Sequence, residues 1–273
     1  MCSFVRVKTL GALVGAGVAV WLALAGWGLP DARPLREKNP TLTALMEQRA
    51  AEAGEKGLKA RRRQTWVPLS AIARSAVAAV VVSEDAAFYQ HSGVDEVELK
   101  KALGEAWQKR SLGRGASTIT QQLAKNLWLS TDRSVLRKLK ELVLAKRLEA
   151  ALSKTRILTL YLNVVEWGDG VYGIEAAAEE HFGVHAAELT PAQGAMLAAM
   201  LPSPRTRLPR LKPRVLHRTA LRVLERLASV GRLDPIAAGN ARLQLDAFFG
   251  LTSTADANAP EDELEDSGAE TKG

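Results

Sequence analysis

Two neighbouring carboxylates, Glu84 and Asp85, lie at the end of an apolar, β-branched run, with only Ser83 in between. On a helix, Glu84, Phe88 and His91 would share one face, because they are spaced i, i+4 and i+7. A carboxylate that emerges from an apolar helix is partly removed from water, which raises its pKa and makes it a better general base. A solvated acidic pair at a helix end is the other interpretation, and both stay open from this stretch alone.

A second polar cluster lies in GRGASTITQQLAKNLWLS, residues 113–130. Thr118 followed by Gln121 forms a capping box, which predicts that a helix starts there. Arg114 precedes it in a turn of small residues, and a helix N-terminus beside an arginine can bind an anion. An ordinary amphipathic helix explains the apolar face of this segment, but not the scarcity of charge on its other face. That face carries four polar side chains: Thr118, Gln122, Lys125 and Asn126.

A third candidate carboxylate, Glu141, lies in a helix predicted within residues 133–156, with Ser134 as its N-cap. Arg137 and Lys138 precede Glu141 by one helical turn, and a surface pair of this kind contributes only about 0.2–0.5 kcal/mol. Three apolar residues follow Glu141, so the carboxylate could instead be poorly hydrated. The pattern directs four apolar side chains toward the core: Leu136, Leu139, Val143 and Leu148.

The elements that position these residues are predicted to be mainly α-helical, because alanine and leucine are frequent and strand-like alternation is rare. Ser70 is the predicted N-cap of a buried helix that leads into Glu84, and a buried strand over 77–82 is the alternative. The single Cys2 excludes an intramolecular disulfide and a cysteine-built zinc site. With 273 residues and 47% hydrophobic content, the chain can bury one good-sized core.

The N-terminus contains a candidate membrane anchor, residues 9–30, which carries no charged side chain. At about 1.5 Å per residue this stretch can cross a hydrocarbon core of about 30 Å. Arg6 and Lys8 precede it, so the positive-inside rule places residues 1–8 in the cytoplasm and the rest of the chain outside. A cleaved signal peptide is the alternative, but the stretch exceeds a typical signal core and lacks an A-x-A cleavage site.

Charge is unevenly distributed along the chain. Residues 251–273 form an acidic tail that is predicted to be disordered. From Ala255 onward the tail has a net charge of −6. The whole chain carries +7, so the residues before Ala255 carry +13. Residues 31–65 are predicted to form a polar juxtamembrane linker, and 66–250 a single domain. A basic domain beside a membrane suits anionic lipid headgroups or phosphate-bearing substrates, and export by the anchor argues against nucleic acid.

Five segments in order resemble the successive motifs of the peptidoglycan glycosyltransferases, a family that includes the N-terminal domain of bifunctional penicillin-binding proteins. The resemblance covers roughly residues 66–210, and the short remainder of the chain makes it similar to the monofunctional branch. Five ordered motifs are far more specific than a single short pattern. The segments are SEDAAFYQHSGVD, GASTITQQLAKN, RKLKE, RILTLYLNVVEWGDGVYGIEAAAEEHFG and LTPAQGAMLAAMLPSPRTRLP.

The resemblance implies a lysozyme-like, two-lobed, mainly α-helical domain that polymerises lipid II. In that reaction the 4-hydroxyl of an incoming disaccharide attacks C1 of the growing chain, and undecaprenyl diphosphate leaves. By resemblance, Glu84 is the general base on that hydroxyl. Asp85 and His91 would shape its surroundings, and Phe88 would pack beneath them.

The remaining motifs imply a site for the substrate and its diphosphate. Glu141 would be the second essential carboxylate, with Arg137 and Lys138 at the diphosphate. Thr159 departs from the family pattern, since some members have glutamate there, and His181 replaces an aromatic residue. The second-motif residues expected to hold the substrate and its phosphates are Thr118, Gln122, Lys125 and Asn126.

No cofactor is required by the sequence and no metal-ligand cluster is visible, although a divalent cation, Mg²⁺ or Mn²⁺, could assist the diphosphate. The expected partners are lipid II, the growing glycan strand, the membrane, and proteins of cell-wall synthesis or division. The expected location is the bacterial inner membrane, with a single pass and a periplasmic domain. A membrane-anchored lytic enzyme and a non-catalytic scaffold are the alternatives. Two carboxylates alone would describe a glycosidase, and the cations around Glu141 and Lys125 favour a phosphate-bearing donor.

Overall fold

The structure, a computed structural model, describes residues 28–98, 100, 117–132 and 134–250. Most of the expected anchor at 9–30 lies outside these residues, as do Arg114 and the whole acidic tail. Among the helices of the described ranges, none combines the length and the apolar character needed to cross a bilayer.

The described residues are mainly α-helical, as the sequence predicts. Three short strands form one small sheet in the order β1-β3-β2, with β1 parallel and β2 antiparallel to β3. They are β1 (Arg63–Gln64), β2 (Glu166–Gly168) and β3 (Val171–Tyr172). The α-helices are α1 (Ala44–Glu55), α2 (Arg74–Glu84), α3 (Ile119–Trp128), α4 (Val135–Ala151), α5 (Lys154–Val164), α6 (Ile174–Phe182), α7 (Pro191–Met200), α8 (Pro213–Ser229) and α9 (Pro235–Phe248).

Helix α7 lies at the centre of the core and packs against both α2 and α8. Thr190 closes a capping box at its N-terminus, and every residue from Gly194 to Met200 is buried. Gly194 permits the close approach to α2, because a Cβ atom there would lie 2.7 Å from the Cα of Ala76. The tight α2–α7 contact fixes the helix that ends at Glu84.

Helix α2 differs from the predicted helix at both ends. Ser70 belongs to a 3₁₀ turn, and α2 begins at Arg74 without a side-chain cap, so the Ser70 cap was wrong. The buried-strand alternative was also wrong. The helix ends at Glu84, so Phe88 and His91 do not share a helical face with it. The cause is tertiary: the chain turns at Asp85, whose side chain contacts groups distant in sequence.

Helix α4 begins directly after the predicted N-cap, Ser134, whose hydroxyl oxygen accepts a hydrogen bond from the backbone N–H of Arg137. The predicted core face was partly wrong, because Leu136 is 58% exposed. Both apolar side chains of the first turn of α4, Val135 and Leu136, are exposed. The buried face consists of Glu141, Leu144, Ala145 and Leu148.

The segment before α1 is held against α4 and α5 by arginines that donate to backbone carbonyl groups. Arg147 on α4 donates to the carbonyl of Leu29 at 2.8 Å. Arg156 on α5 donates to the backbone carbonyl of Leu35 at 2.7 Å. In the opposite direction, Arg36 of the segment donates to the backbone carbonyl of Ala151 at 2.7 Å. The segment therefore packs on the folded domain.

Candidate active site

Glu84 lies at the last position of α2, on the wall of a cleft of about 250 Å³. Nε2 of Gln122 on α3 donates to the Glu84 carboxylate at 2.8 Å, and the hydroxyl of Tyr161 on α5 donates to the Gln122 carbonyl oxygen at 2.9 Å. Burial raises the pKa of Glu84, and the Gln122 hydrogen bond and the charges of Lys125 and Arg207 offset part of this rise. Glu84 is therefore a partly desolvated carboxylate held in one orientation.

Asp85 is buried and joins the turn after α2 to the start of α3. Its carboxylate accepts the backbone N–H of Ile119 at 2.9 Å and lies 2.9 Å from Nε2 of His91. The Gly93 amide donates to Nδ1 of His91, so Nε2 carries the proton that His91 donates to Asp85. Burial raises the pKa of Asp85. These contacts hold the turn after α2 against the start of α3.

Phe88 packs behind this turn and is fully buried. Nζ of Lys154 lies 4.4 Å from its ring centroid, a cation–π contact. Thr118, the N-cap of α3, donates its hydroxyl to the carbonyl of Gly93 at 2.8 Å and lines the cleft. The capping box of Thr118 with Gln121 is present as the sequence predicts.

Glu141 on α4 is 3% exposed, although sequence spacing alone allowed a solvated ion pair. Arg137 donates to its carboxylate at 2.6 Å, and Lys138 donates to the other oxygen. Lys138 also donates to the hydroxyl of Ser117, which lines the cleft. Removing either cation would leave the buried charge of Glu141 poorly compensated.

Lys125 on α3 is within electrostatic reach of both Glu84 and Glu141. Burial lowers the pKa of its ammonium, and Arg137 and Lys138 lower it further. Two cations contact Glu141 directly, and Lys125 lies between Glu141 and Glu84 in its electrostatic interactions. Three cations against two carboxylates leave a net charge of +1, which favours an anionic group of a ligand. Asn126 follows Lys125 and is buried on α3.

Several residues that line the cleft or act on Glu84 were missed by the sequence reasoning. Arg226 on α8 lies far from the recognised segments, and only the packing of α8 brings it to the cleft wall. Tyr161 was interpreted as a packing residue, and its hydroxyl contact with Gln122 gives no local sequence signal. Arg207, which interacts with the charge of Glu84, lies in the fifth segment, where two loop arginines, Arg205 and Arg207, were available as a signal. The cleft is lined by Val82, Ser83, Glu84, Asp85, Ala86, Ala87, Asp95, Glu98, Ser117, Thr118 and Arg226.

One group of described residues has the spacing of a metal site: Glu175, Glu179 and His185, whose ligand atoms lie within 4.8 Å of one another. Glu175 already pairs with His185 at 2.7 Å, and Glu179 pairs with Arg63 at 3.2 Å. These contacts satisfy the carboxylates, and none of the three residues lines the cleft. The expectation of an assisting divalent cation stays a prediction.

Comparison with known proteins identifies the family. The transglycosylase family model matches residues 51–228. The biosynthetic peptidoglycan transglycosylase of Thiobacillus denitrificans is 43% identical over 198 residues, which cover 72% of this chain and 85% of that protein. The biosynthetic peptidoglycan transglycosylase of Nitrosomonas eutropha is 42% identical over 215 residues, which cover 77% of this chain and 86% of that protein. The crystal structure of penicillin-binding protein 1A from Haemophilus influenzae is 18% identical with a TM-score of 0.41, covering 67% of this chain and 18% of that one. Since the family match spans more than half of the sequence, this chain belongs to the transglycosylase family.

Proposed function

We propose that the chain is a peptidoglycan glycosyltransferase that polymerises lipid II into glycan strands and releases undecaprenyl diphosphate. Family membership and the relatives named biosynthetic peptidoglycan transglycosylases support glycosyl transfer in peptidoglycan synthesis. The observation that carries the mechanism is a desolvated carboxylate, Glu84, on the wall of a cleft that also contains Ser117, the hydrogen-bond partner of Lys138.

Glu84 acts as the general base in this proposal. The 4-hydroxyl of the acceptor sugar loses its proton to the Glu84 carboxylate as its oxygen forms the new bond to C1 of the donor. A positioned base of this kind contributes about 10²–10⁴-fold to the rate, and a raised pKa increases its proton affinity. Gln122 and Tyr161 hold the carboxylate in place, so the reacting oxygen does not rotate away.

The cations supply the second half of the chemistry. As the bond from C1 to the diphosphate oxygen breaks, negative charge accumulates on the leaving group, which needs electrostatic stabilisation rather than a proton. The negative charge of the leaving group is stabilised by three cations, Lys125, Arg137 and Lys138. Glu141 holds Arg137 and Lys138 in position through its ion pairs. A lytic enzyme that cleaves glycan strands would not need this surplus of positive charge.

The membrane setting is part of the proposal. Residues 9–30 would form a single-pass anchor in the inner membrane, and the lysozyme-like, two-lobed domain would lie in the periplasm. This arrangement places the cleft beside a lipid-linked substrate that cannot leave the bilayer. The growing glycan strand, proteins of wall synthesis or division, and an assisting Mg²⁺ or Mn²⁺ are further expected partners.

The test uses the full chain with fluorescent lipid II and, separately, with finished peptidoglycan. Wild-type protein should lengthen glycans from lipid II, and Glu84→Gln should lose about 10²–10⁴-fold in rate while it still binds lipid II. Glu225→Gln, on the exposed side of α8, is the matched control and should retain activity. Cleavage of finished peptidoglycan without polymerisation would indicate a lytic enzyme, and an unaffected Glu84→Gln variant would indicate a scaffold.

A further inference from the structure

A second pocket, of about 400 Å³, lies beside the C-terminal end of α4. Three arginines line it: Arg33, Arg36 and Arg147. Its apolar lining comes from Ala32, Ala150 and Ala151, and Asp31 is its one carboxylate. We call this the anchor-exit pocket. None of these residues lines the cleft at Glu84.

The position of the pocket relates it to the proposed membrane anchor. Arg147 lines the pocket and also donates to the carbonyl groups of Leu29 and Pro30, which are the last residues of the uncharged stretch 9–30. If that stretch spans the bilayer, the pocket lies at the level of the outer headgroups. Its residues on α4 follow Glu141 by six to ten positions, about 9–15 Å along the helix, and none of them belongs to the Glu141 cation cluster.

The chemistry of the pocket suits a lipid phosphate. Asp31 pairs with Arg33 at 2.9 Å, which leaves an excess of two positive charges among the lining residues. Guanidinium groups bind phosphate oxygens in a bidentate manner, and basic residues beside a bilayer attract anionic headgroups. Arg36 donates from Nε to the carbonyl of Ala151, so this carbonyl group at the end of α4 already has a protein donor. The alanines provide a surface for the glycerol and the first methylene groups.

We infer that the anchor-exit pocket binds the phosphate group of an anionic phospholipid of the surrounding membrane. This inference rests on the membrane anchoring in the proposed function. A lipid held there would join the end of the anchor to α4, the helix that carries Glu141. It would thereby fix the height of the cleft above the bilayer.

The experiment counts lipids bound to the full chain by native mass spectrometry. The probes are phosphatidylglycerol, phosphatidylcholine, undecaprenyl diphosphate and inorganic phosphate. Each arginine near an anionic lipid is worth about fivefold in affinity, so R33Q/R36Q should bind phosphatidylglycerol about 25-fold more weakly. R33Q alone, which leaves the Arg36 contact intact, should lose about fivefold. R232Q/R242Q removes two exposed arginines outside the pocket and is the matched control.

Four outcomes would overturn the inference: unchanged phosphatidylglycerol binding in R33Q/R36Q, an equal loss in the control, selective loss of undecaprenyl diphosphate, or displacement of the lipid by inorganic phosphate. Polymerisation of lipid II in detergent should be unchanged in R33Q/R36Q, because its cleft is intact. Failure of the proposed function would be seen separately, as normal polymerisation by Glu84→Gln, and would leave the lipid counts as they are.

Discussion

The hydrogen bond from Gln122 to Glu84 gives the sharpest test of the proposed base. Nε2 of Gln122 donates to the carboxylate at 2.8 Å and stabilises its charged form. Gln122→Met keeps a similar volume and removes the donor. A hydrogen bond to a charged group is worth about 1.5–3 kcal/mol, and the lower end applies here because Glu84 borders the cleft. About 1.5 kcal/mol corresponds to about one pKa unit.

The pKa of Glu84 should rise in this variant, because the lost hydrogen bond stabilises the ionised form of the carboxylate. Losing the donor raises the pKa of Glu84 further above its ordinary value, so a smaller fraction of the base is ionised at a given acidic pH. The acid side of the pH–rate profile should therefore move about one unit toward higher pH. At pH values well above that pKa, the loss of rate that remains in the variant should reflect only the orientation that Gln122 gives the carboxylate.

The assay measures initial rates of lipid II polymerisation across a pH series. Tyr161→Phe should shift the profile in the same direction by a smaller amount, because the phenol only orients the Gln122 carbonyl. Gln244→Met on the exposed side of α9 is the control. A rate that falls equally at all pH values would show that Gln122 orients the carboxylate or binds the substrate and does not set the pKa of Glu84. A shift toward lower pH would refute the electrostatic reasoning outright.

Two further substitutions test the packing around the base. Gly194→Ala should lower the free energy of unfolding by about 1–3 kcal/mol, because the new Cβ would meet Ala76 at 2.7 Å. Gly239→Ala, which meets no atom within 4 Å, should be neutral or stabilising in the same denaturation experiment. Asp85→Asn should lower the free energy of unfolding by about 1.5–3 kcal/mol, through a weaker bond to the Ile119 amide. It should also slow polymerisation and move the acid limb toward lower pH, because the charge of Asp85 helps to raise the pKa of Glu84. Slower polymerisation with an unchanged melting temperature would instead place Asp85 against the substrate.

Local signals predicted the starts of the helices that have a complete capping box, and they failed at both ends of α2. The capping boxes at Thr118 and Thr190 are complete within four residues of sequence, so their partners are visible in the chain itself. The end of α2 at Glu84 depends on Asp85 bonding to Ile119, 34 residues away. No periodicity records such a contact, which is why Phe88 and His91 were placed on the wrong element.

In the site, too, contacts within one helix were predictable from the sequence, and contacts between helices were not. Glu141 and its two cations lie within one turn of helix, so their spacing predicts the ion pairs that the structure contains. Whether Glu141 is buried depends on neighbouring helices, and spacing alone left that open. The link from Tyr161 through Gln122 to Glu84 joins three helices, and Arg226 reaches the cleft from a fourth.

The arginine contacts to the segment before α1 have a practical consequence for preparing a soluble domain. Similarity to the family begins at residue 51, inside α1. A protein truncated there would lack the carbonyl groups of Leu29 and Leu35 and leave Arg147 and Arg156 without those acceptors. The start of homology and the start of the folded unit are different boundaries in this chain, and truncations for crystallisation or inhibitor screening should begin before Leu29.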